Sequence, residues 1–182
     1  MTKNRAIILD RDGVLIEDKN YAYKIEDLEL LPGVIEGLKL LQPNFLFFIV
    51  TNQSGIGKGY YTVEDFHNYN NYLLSILKKK HIKIQRTFFC PHLKEDGCQC
   101  RKPNLEFINK IMDGWNINLE ASWMIGDHPS DILFGINGGC KTIYMSTGHG
   151  VKHLNNLESE GIKPNIISSN FLDAAKKIIK LG

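Results

Sequence analysis

Short apolar runs alternate along the chain with stretches in which apolar residues recur every three or four positions. The runs predict β-strands at residues 5–9, 45–50, 84–89, 122–125 and 142–145, with a short sixth at 165–167. The helical spacing predicts helices at residues 34–41, 62–80, 105–115, 130–137 and 170–181. Most of these strands lack a polar face. Apolar strands that alternate with helices indicate an α/β fold, with a mostly parallel sheet covered on both faces.

The composition excludes several classes of function. The 182 residues, of which 43% are hydrophobic and 23% charged, fit one soluble domain over residues 1–182 with no large cap domain. A net charge of +2 is too small for bulk attraction to nucleic acid or to an anionic membrane. The longest apolar run, 45–50, is far shorter than the roughly 20 residues of a membrane span, and residues 1–5 carry no signal-peptide pattern. We therefore expect a cytoplasmic protein that acts on a small molecule. A monomer is the default expectation, because nothing in the sequence determines the oligomeric state.

Two aspartates directly follow the first predicted strand. The segment Asp10-Arg11-Asp12-Gly13 places carboxylates at alternate positions, and Gly13 allows the chain to turn as it leaves the sheet. Ligands of such sheets bind beyond the carboxyl ends of the strands. One carboxylate can attack phosphorus there while the other handles the proton of the leaving group. The segment therefore predicts phosphoryl transfer, with a magnesium ion to offset the charge of the phosphate.

Two further motifs offer groups that bind phosphate. Residues 51–57 (TNQSGIG) follow the second predicted strand and supply the Thr51 hydroxyl, amide donors and glycines that allow backbone N–H groups to approach an anion. Arg101 and Lys102 precede a predicted helix, and two adjacent cations can contact one phosphate. Both motifs therefore suit the binding of a phosphate group.

A fourth motif, residues 126–131 (GDHPSD), follows the 122–125 strand and opens a helix. Asp127 is placed to complete an oxygen-rich magnesium site with the first two aspartates. Asp131 is expected to hold Lys102 or to support the metal site from behind.

Each motif by itself also fits a plainer role. The first aspartate pair suits a turn, residues 51–57 suit a polar loop, and Arg101 and Lys102 suit an exposed surface. Asp127 or Ser130 suits the N-cap of a helix. Their occurrence together, each at a predicted strand end or helix start, favours one phosphate-handling site.

Three cysteines and a histidine crowd into one predicted loop, residues 90–100: Cys90, His92, Cys98 and Cys100. Three thiolates and one imidazole suit a closed, tetrahedral, structural zinc site, whereas free thiols are the alternative. Because Arg101 follows at once, we expect the zinc to shape the loop that presents Arg101 and Lys102.

The four motifs, in this order, resemble the signature motifs of the haloacid dehalogenase superfamily over nearly the whole chain. The resemblance implies a Rossmann-like three-layer sandwich and a phosphatase. It implies that Asp10 is the nucleophile and that Asp12 is the general acid and later the base. Thr51 and Lys102 would stabilise the transferring phosphoryl group. Magnesium would be held by Asp10, Asp127 and the backbone carbonyl of Asp12.

The layout resembles the zinc-containing branch of this superfamily, which holds heptose-bisphosphate and histidinol-phosphate phosphatases. Similarity to the heptose enzymes is greatest in residues 18–34, 51–59 and 146–148. It implies removal of the 7-phosphate of D-glycero-D-manno-heptose 1,7-bisphosphate, in the assembly of the lipopolysaccharide core. The substrate contacts that it implies are Asp18, Lys19, Asn20, Tyr21, Asn52, Gln53, Ser54, Arg101 and His128.

Two alternatives remain open at this point. The short spacing between His92 and Cys98 resembles histidinol-phosphate phosphatases, and His128 stands where heptose phosphatases typically have Lys. Ser54 stands where histidinol-phosphate phosphatases usually have Asp, which favours the heptose substrate. A regulator that binds phosphate or a nucleotide without turnover is disfavoured, because every catalytic residue that the resemblance implies is retained.

Overall fold

The computed structural model describes residues 3–147 and 150–181. The strands are β1 (Ala6–Leu9), β2 (Leu46–Asn52), β3 (Ile84–Cys90), β4 (Trp123–Gly126), β5 (Lys141–Met145) and β6 (Ile166–Ser168). The helices are α1 (Val34–Leu41), α2 (Ser54–Gly57), α3 (Val63–Lys79), α4 (Glu106–Trp115), α5 (Pro129–Asn137), α6 (Gly150–Ser159) and α7 (Phe171–Leu181), with a single 3-10 turn at Ile25–Asp27. No helix within these described ranges is both long and apolar enough to cross a membrane.

The six strands form one parallel sheet in the order β3-β2-β1-β4-β5-β6. The chain begins in the middle of the sheet, builds outward through β2 and β3, and then returns to the other side of β1 through β4. The order therefore reverses between β1 and β4, and their carboxyl ends diverge to leave a crevice. The predicted three-layer α/β sandwich with a mostly parallel sheet is confirmed.

Successive side chains of the central strands enter two separate cores, because neighbouring residues of a strand face opposite sides of the sheet. In β1, Ile7 and Leu9 pack with the buried side chains of α1, α3 and α7. Ala6 and Ile8 pack on the opposite face, with those of α4 and with Phe134 of α5. Strands β1 and β4 are buried along their whole length, and accordingly neither contains a charged or hydrogen-bonding side chain apart from the Trp123 indole.

Local capping accounts for two helix starts. Thr62 and Asp65 form a reciprocal capping box at α3, with Asp65 N donating to Thr62 Oγ1 at 3.1 Å. The helix therefore begins where the sequence predicts. At α5 the N-cap is His128, rather than Asp127 or Ser130, and its Nδ1 accepts from Ser130 N at 3.2 Å. Asp127 is thereby released from a capping role.

The short helix α2, the end of β2 and helix α6 differ from the prediction. Strand β2 continues to Asn52. Thr51 and Asn52 are therefore the last residues of the strand and pair with β3, whereas the sequence placed them after the strand. Helix α6 was not expected, because its apolar pattern is weak and among its described residues only Gly150 and Leu157 are buried. Tertiary packing, and not local periodicity, decides such a helix.

Gly37 allows α1 and α7 to pack closely, which predicts opposite effects for two Gly→Ala substitutions. A Cβ at Gly37 would lie 2.6 Å from Phe171 Cδ1 and 3.2 Å from its carbonyl oxygen. We expect Gly37→Ala to lower the free energy of unfolding by about 1–3 kcal/mol, because the helices must move apart.

Gly114 is the matched control, since a Cβ there would meet nothing within 4 Å. Gly114→Ala should raise the free energy of unfolding by up to about 1 kcal/mol, because alanine favours the helix. Urea denaturation of both variants makes the comparison. Equal shifts of the same sign would contradict the close α1–α7 contact.

Candidate active site

A cavity of about 310 Å³ lies at the carboxyl edge of the sheet, beside the crevice between β1 and β4. It is lined by residues that follow β1, β2 and β4 and by the loop before α4. The residues predicted for catalysis, metal binding or substrate contact that line it are Asp10, Asp12, Asp18, Asn20, Tyr21, Thr51, Asn52, Gln53, Ser54, Arg101, Lys102, Asp127 and His128. The motifs that the sequence separates by up to 118 positions therefore meet at one place.

Lys102 lies at the centre of the site, and its side chain is almost wholly buried. Its Nζ donates to Asp10 Oδ1 at 2.8 Å and to Val50 O at 2.7 Å, and it pairs with Asp131 Oδ1 at 2.7 Å. Burial acts to lower the pKa of Lys102, but the carboxylates of Asp10 and Asp131 outweigh burial and raise it. The ammonium therefore stays charged and holds two carboxylates in place.

Three carboxylates approach one another beside this lysine. One oxygen each of Asp10, Asp127 and Asp131 lies within 4.8 Å of the others. Burial raises the pKa of Asp10 to about 7, against the opposing effect of Lys102. Burial, with the charges of Asp10 and Asp131, raises the pKa of Asp127 to about 9. One ammonium does not balance three buried carboxylates, so the cluster favours a further positive charge.

The cluster fits a hard divalent cation. Its donors are all oxygens, and Asp127 Oδ2 is buried without a hydrogen-bond partner in the described part of the chain. The turn after β1 approaches this oxygen closely, because a Cβ at Gly13 would lie 2.1 Å from it. Gly13 also has a φ of +78°, which glycine adopts without strain. A magnesium ion in this place would satisfy the orphaned oxygen and the excess negative charge.

Asp12 departs from the expected arrangement of acidic side chains. Its carboxylate does not belong to the cluster; it lies against Arg11 and Gln53 instead. Asp131 takes its place among the three carboxylates. Hydrogen bonds from Arg11 and Gln53 hold the Asp12 side chain in this other place. For Asp12, the predicted metal ligand is thus the backbone carbonyl and not the side chain.

Gln53 connects the acid–base and phosphate-binding residues. Its side-chain Nε2 donates to Asp12 Oδ2 and to Thr51 Oγ1, both at 2.8 Å. Its Oε1 accepts from Tyr61 Oη at 2.6 Å and from Arg11 Nη2 at 3.1 Å. The Gln53 amide thus donates two hydrogen bonds and accepts two, which uses all of its hydrogen-bonding groups, and Gln53 is 4% exposed. Its contacts are with the protein, whereas the sequence predicted a substrate contact.

Arg11 and Tyr61 are the residues of this network that the sequence analysis did not identify. A faint signal for Arg11 exists, because a charged residue stands among residues 6–16, most of which are apolar and buried. No local pattern indicates Tyr61, whose hydroxyl reaches Gln53 Oε1 from eight residues further along the chain.

The loop after the first motif forms another wall of the cavity. Asp18, Asn20 and Tyr21 line it, and Asn20 N donates to Asp18 Oδ1 at 2.9 Å. Lys58 Nζ lies 2.7 Å from Tyr21 Oη. Asn20 and Tyr21 both have positive φ values, 55° and 63°. This loop is thus held in an uncommon backbone conformation next to the site, which is typical of ligand-binding segments.

Lys19 is not brought to the cavity. Its Nζ lies 3.2 Å from Glu29 Oε2 and 3.6 Å from Glu17 Oε2, and none of these three residues lines the cavity. The two glutamates attract the ammonium away from the site. The geometry therefore does not support the predicted substrate contact of Lys19, as it does not support that of Gln53.

Two histidines line the rim of the cavity. From the sequence, His149 and His153 follow a predicted strand end, where they either line the pocket or, as the sequence favours, lie at the surface; His149 lies outside the described residues, whereas half-buried His153 lines the cavity. Its ring packs edge-to-face with that of His128, with centroids 4.8 Å apart, and both line the cavity. Burial lowers the pKa of His128, with Asp131 opposing it. Since Nδ1 accepts from Ser130 N, the proton of the neutral ring is on Nε2.

The predicted cysteine–histidine cluster assembles next to the site. The ligand atoms of Cys90, His92, Cys98 and Cys100 all lie within 4.8 Å of one another. The closest contacts are 3.3 Å between His92 Nδ1 and Cys100 Sγ, and 3.5 Å between Cys90 and Cys98 Sγ. A tetrahedral ion about 2.3 Å from each sulfur requires separations of roughly this size. The four residues therefore have the mutual spacing that a tetrahedral metal ion requires, and their cysteines form no disulfide.

Several known proteins are similar to this chain in sequence. The family model described as HAD-hydrolase-like matches residues 99–174. The D-glycero-alpha-D-manno-heptose-1,7-bisphosphate 7-phosphatase of Campylobacter jejuni is 43% identical over 144 residues, covering 79% of this chain and 83% of that protein. The enzyme of the same name from Photorhabdus laumondii is 33% identical and covers 97% of both.

A solved structure agrees with these relatives. The D,D-heptose 1,7-bisphosphate phosphatase from B. bronchiseptica, complexed with magnesium and phosphate, superposes with a TM-score of 0.86 at 26% identity, over 98% of this chain and 99% of that one. Identity of this extent over most of the chain, together with the shared fold, shows common descent and not only a common architecture. The chain belongs to the haloacid-dehalogenase-like phosphatases, in the branch that contains the heptose-bisphosphate 7-phosphatases.

Proposed function

We propose that this phosphatase removes the 7-phosphate of D-glycero-D-manno-heptose 1,7-bisphosphate through an aspartyl-phosphate on Asp10. The observation that carries the proposal is the contact between Lys102 Nζ and Asp10 Oδ1, 2.8 Å long and set at the edge of the carboxylate cluster. It orients a carboxylate toward the cavity beside a fixed positive charge. That arrangement is what a nucleophile needs if it is to approach a phosphate.

In the first chemical step a carboxylate oxygen of Asp10 attacks phosphorus, and the bond from phosphorus to the sugar oxygen breaks. Asp12 gives its proton to that oxygen, so the sugar leaves as an alcohol. Lys102 and the Thr51 hydroxyl stabilise the charge on the transferring group. In the second step Asp12 takes a proton from water as the water attacks phosphorus. Phosphate then leaves, and the Asp10 carboxylate is restored.

Asp10, Asp127 and the Asp12 carbonyl are the groups that would hold magnesium, with Asp131 supporting them through Lys102. The ion, when bound, offsets the negative charges of the carboxylates and the phosphate so that the two can approach. The support for this proposal is the orphaned Asp127 Oδ2 and the surplus of buried negative charge. The named complex of the B. bronchiseptica enzyme with magnesium and phosphate supports it independently.

The bisphosphate gives the rim of the cavity a second anion to bind. Arg101 and His128 line the same cavity as Lys102, and His128 presents a ring N–H at Nε2. A guanidinium and an imidazole suit a phosphate that is not being hydrolysed. Histidinol phosphate has one phosphate and a cationic amine, which these groups would not favour. The relatives named above are heptose phosphatases, and we keep histidinol phosphate only as the alternative substrate.

We further propose that the cysteine–histidine cluster binds a structural zinc ion that holds the phosphate-binding loop. Arg101 Nη1 donates to the carbonyl oxygen of His92 at 3.1 Å, so a metal ligand also anchors the guanidinium. Gln53 N donates to Cys90 O at 2.7 Å. Four protein ligands leave no open position for catalysis. The cytoplasmic location remains a prediction from the sequence, and the role in lipopolysaccharide assembly remains a prediction from the family resemblance.

Two substrates distinguish the proposed function from its alternatives. With magnesium, we expect kcat/KM for heptose 1,7-bisphosphate to exceed that for histidinol phosphate by at least tenfold, about 1.4 kcal/mol of transition-state discrimination. Phosphate release from each substrate gives the comparison. The reverse preference would identify the histidinol substrate.

Asp10→Asn tests the nucleophile. The amide cannot attack phosphorus, so kcat should fall at least about 1,000-fold, or about 4 kcal/mol. Asp113→Asn, the same change at an exposed position of α4, should leave kcat unchanged. If the wild-type protein bound phosphate but hydrolysed no substrate, as expected for Asp10→Asn, the chain would be a regulator and not an enzyme.

Zinc removal should weaken substrate binding more than it slows the chemistry. Wild-type protein should contain one zinc per chain by elemental analysis. Cys98→Ala should lose the zinc and raise KM about tenfold in excess magnesium, because Arg101 loses its anchor.

Cys140→Ala provides the control, since Cys140 is a buried free cysteine outside the cluster. It should keep both the zinc and the wild-type KM. An unchanged KM in zinc-free Cys98→Ala would refute the role of the ion in holding Arg101.

A further inference from the structure

We propose that Arg11 is a positioning residue that fixes which oxygen of Asp12 exchanges protons with the substrate. The proposal deepens the function proposed above, because it rests on Asp12 acting as general acid and base. Arg11 itself touches Asp12 and Gln53 and acts on the reaction only through them.

The Arg11 guanidinium donates hydrogen bonds to both oxygens of the Asp12 carboxylate. Arg11 Nε donates to Oδ2 at 3.1 Å, while Nη2 lies 3.0 Å from Oδ2 and 3.1 Å from Oδ1. The Arg11 side chain is 1% exposed, whereas that of Asp12 is 22% exposed. The planar fork of an arginine suits this contact with a carboxylate, and a lysine cannot reproduce it.

A count of donors separates the two oxygens of Asp12. Oδ2 accepts from Arg11 Nε, Arg11 Nη2 and Gln53 Nε2, the last at 2.8 Å. Oδ1 accepts one of the hydrogen bonds that the described residues make, from Arg11 Nη2. A carboxylate oxygen has about two lone-pair sites, so Oδ2 is saturated. Oδ1 is therefore the oxygen with capacity to carry a proton.

The surroundings of Arg11 hold the guanidinium in place without offering another anion. Its Cζ lies 5.2 Å from the ring centre of Phe66 and 5.1 Å from that of Tyr69. Gln53 Oε1 accepts from Arg11 Nη2, and the Tyr61 hydroxyl fixes the orientation of the same amide. Arg11 Nη1 is buried with no hydrogen-bond partner in the described chain. An apolar residue would avoid that unmet donor, so the contact with Asp12 is the reason for an arginine here.

Both chemical steps require the same oxygen to face the reacting group. In the first, the proton on Oδ1 passes to the sugar oxygen as its bond to phosphorus breaks. In the second, Oδ1 takes a proton from water as the water oxygen bonds to phosphorus and Asp10 is released. A carboxylate torsion is broad and roughly two-fold, so it does not select one oxygen by itself. The hydrogen bonds from Arg11 and Gln53 make that selection.

Arg11→Lys tests this role, because it keeps the charge and removes the fork. The probes are p-nitrophenyl phosphate, whose leaving group needs little protonation, and the sugar phosphate on which the wild type is most active. On the sugar phosphate we expect kcat to fall about 100-fold, the usual size of an acid–base contribution, with KM within about threefold. The first-turnover burst of p-nitrophenol should persist while later turnovers slow, since hydrolysis of the aspartyl-phosphate still needs Oδ1.

Two further variants complete the test. Arg86→Lys makes the same substitution at an exposed position, where the guanidinium lies 5.2 Å from the Phe88 ring centre, and should behave as wild type. Gln53→Met removes one donor to Oδ2 and should give the same split between the two probes, at a smaller size. If thermal unfolding shows that Arg11→Lys does not fold, Gln53→Met alone tests the proposal.

Three results would overturn the proposal. One is an equal loss of the p-nitrophenol burst and of sugar-phosphate turnover, and another is a change confined to KM. The third is an unfolded Arg11→Lys together with a Gln53→Met that shows no split. An active wild type with any of these leaves the phosphatase function intact. A wild type that hydrolyses neither ester would overturn the proposed function as well.

Discussion

The burial of like charges around one lysine is the constraint on which the site depends. One oxygen each of Asp10, Asp127 and Asp131 lies within 4.8 Å of the others, and among the described residues Lys102 is the cation that pairs with this cluster. Such a cluster is costly in an interior of low dielectric constant, and the raised pKa values of Asp10 and Asp127 report that cost. A divalent cation and a phosphate together satisfy what the protein alone leaves unbalanced. The binding of ligand and the stability of this edge are therefore linked.

The topology of the sheet makes this crowding achievable. The order of strands reverses between β1 and β4, so Asp10 and Asp127 leave the sheet on the two sides of one crevice. Lys102 belongs to the loop before α4, outside the sheet, so its backbone must be held next to the strand ends. Asn52 does this through two hydrogen bonds, since its Oδ1 accepts from Lys102 N at 3.0 Å and its Nδ2 donates to Lys102 O at 3.3 Å. The end of β2 and the loop before α4 therefore act as one unit.

The cysteine–histidine loop extends the same principle to the substrate side. It follows β3 directly, at the edge of the sheet, where few strands are available to hold a long connection. Its backbone is tied to the α2 turn, with Gly57 N donating to Pro91 O at 2.9 Å, and to Asn104, whose side chain donates to Cys98 O at 2.7 Å. A compact fold without a large cap thus builds its cavity from short loops, each held by a few directed contacts.

The sequence by itself determined the layers, the order of the motifs and the cysteine–histidine cluster. Strand and helix periodicity is local, and the four ligands lie within eleven residues, so no distant packing is needed to predict them. Only the tertiary structure decided that Asp131 joins the carboxylates in place of the Asp12 side chain, and that Lys19 points away. It alone brought Arg11 and His153 to the site. These outcomes depend on the path that each loop takes after its strand, and contacts between distant segments set that path.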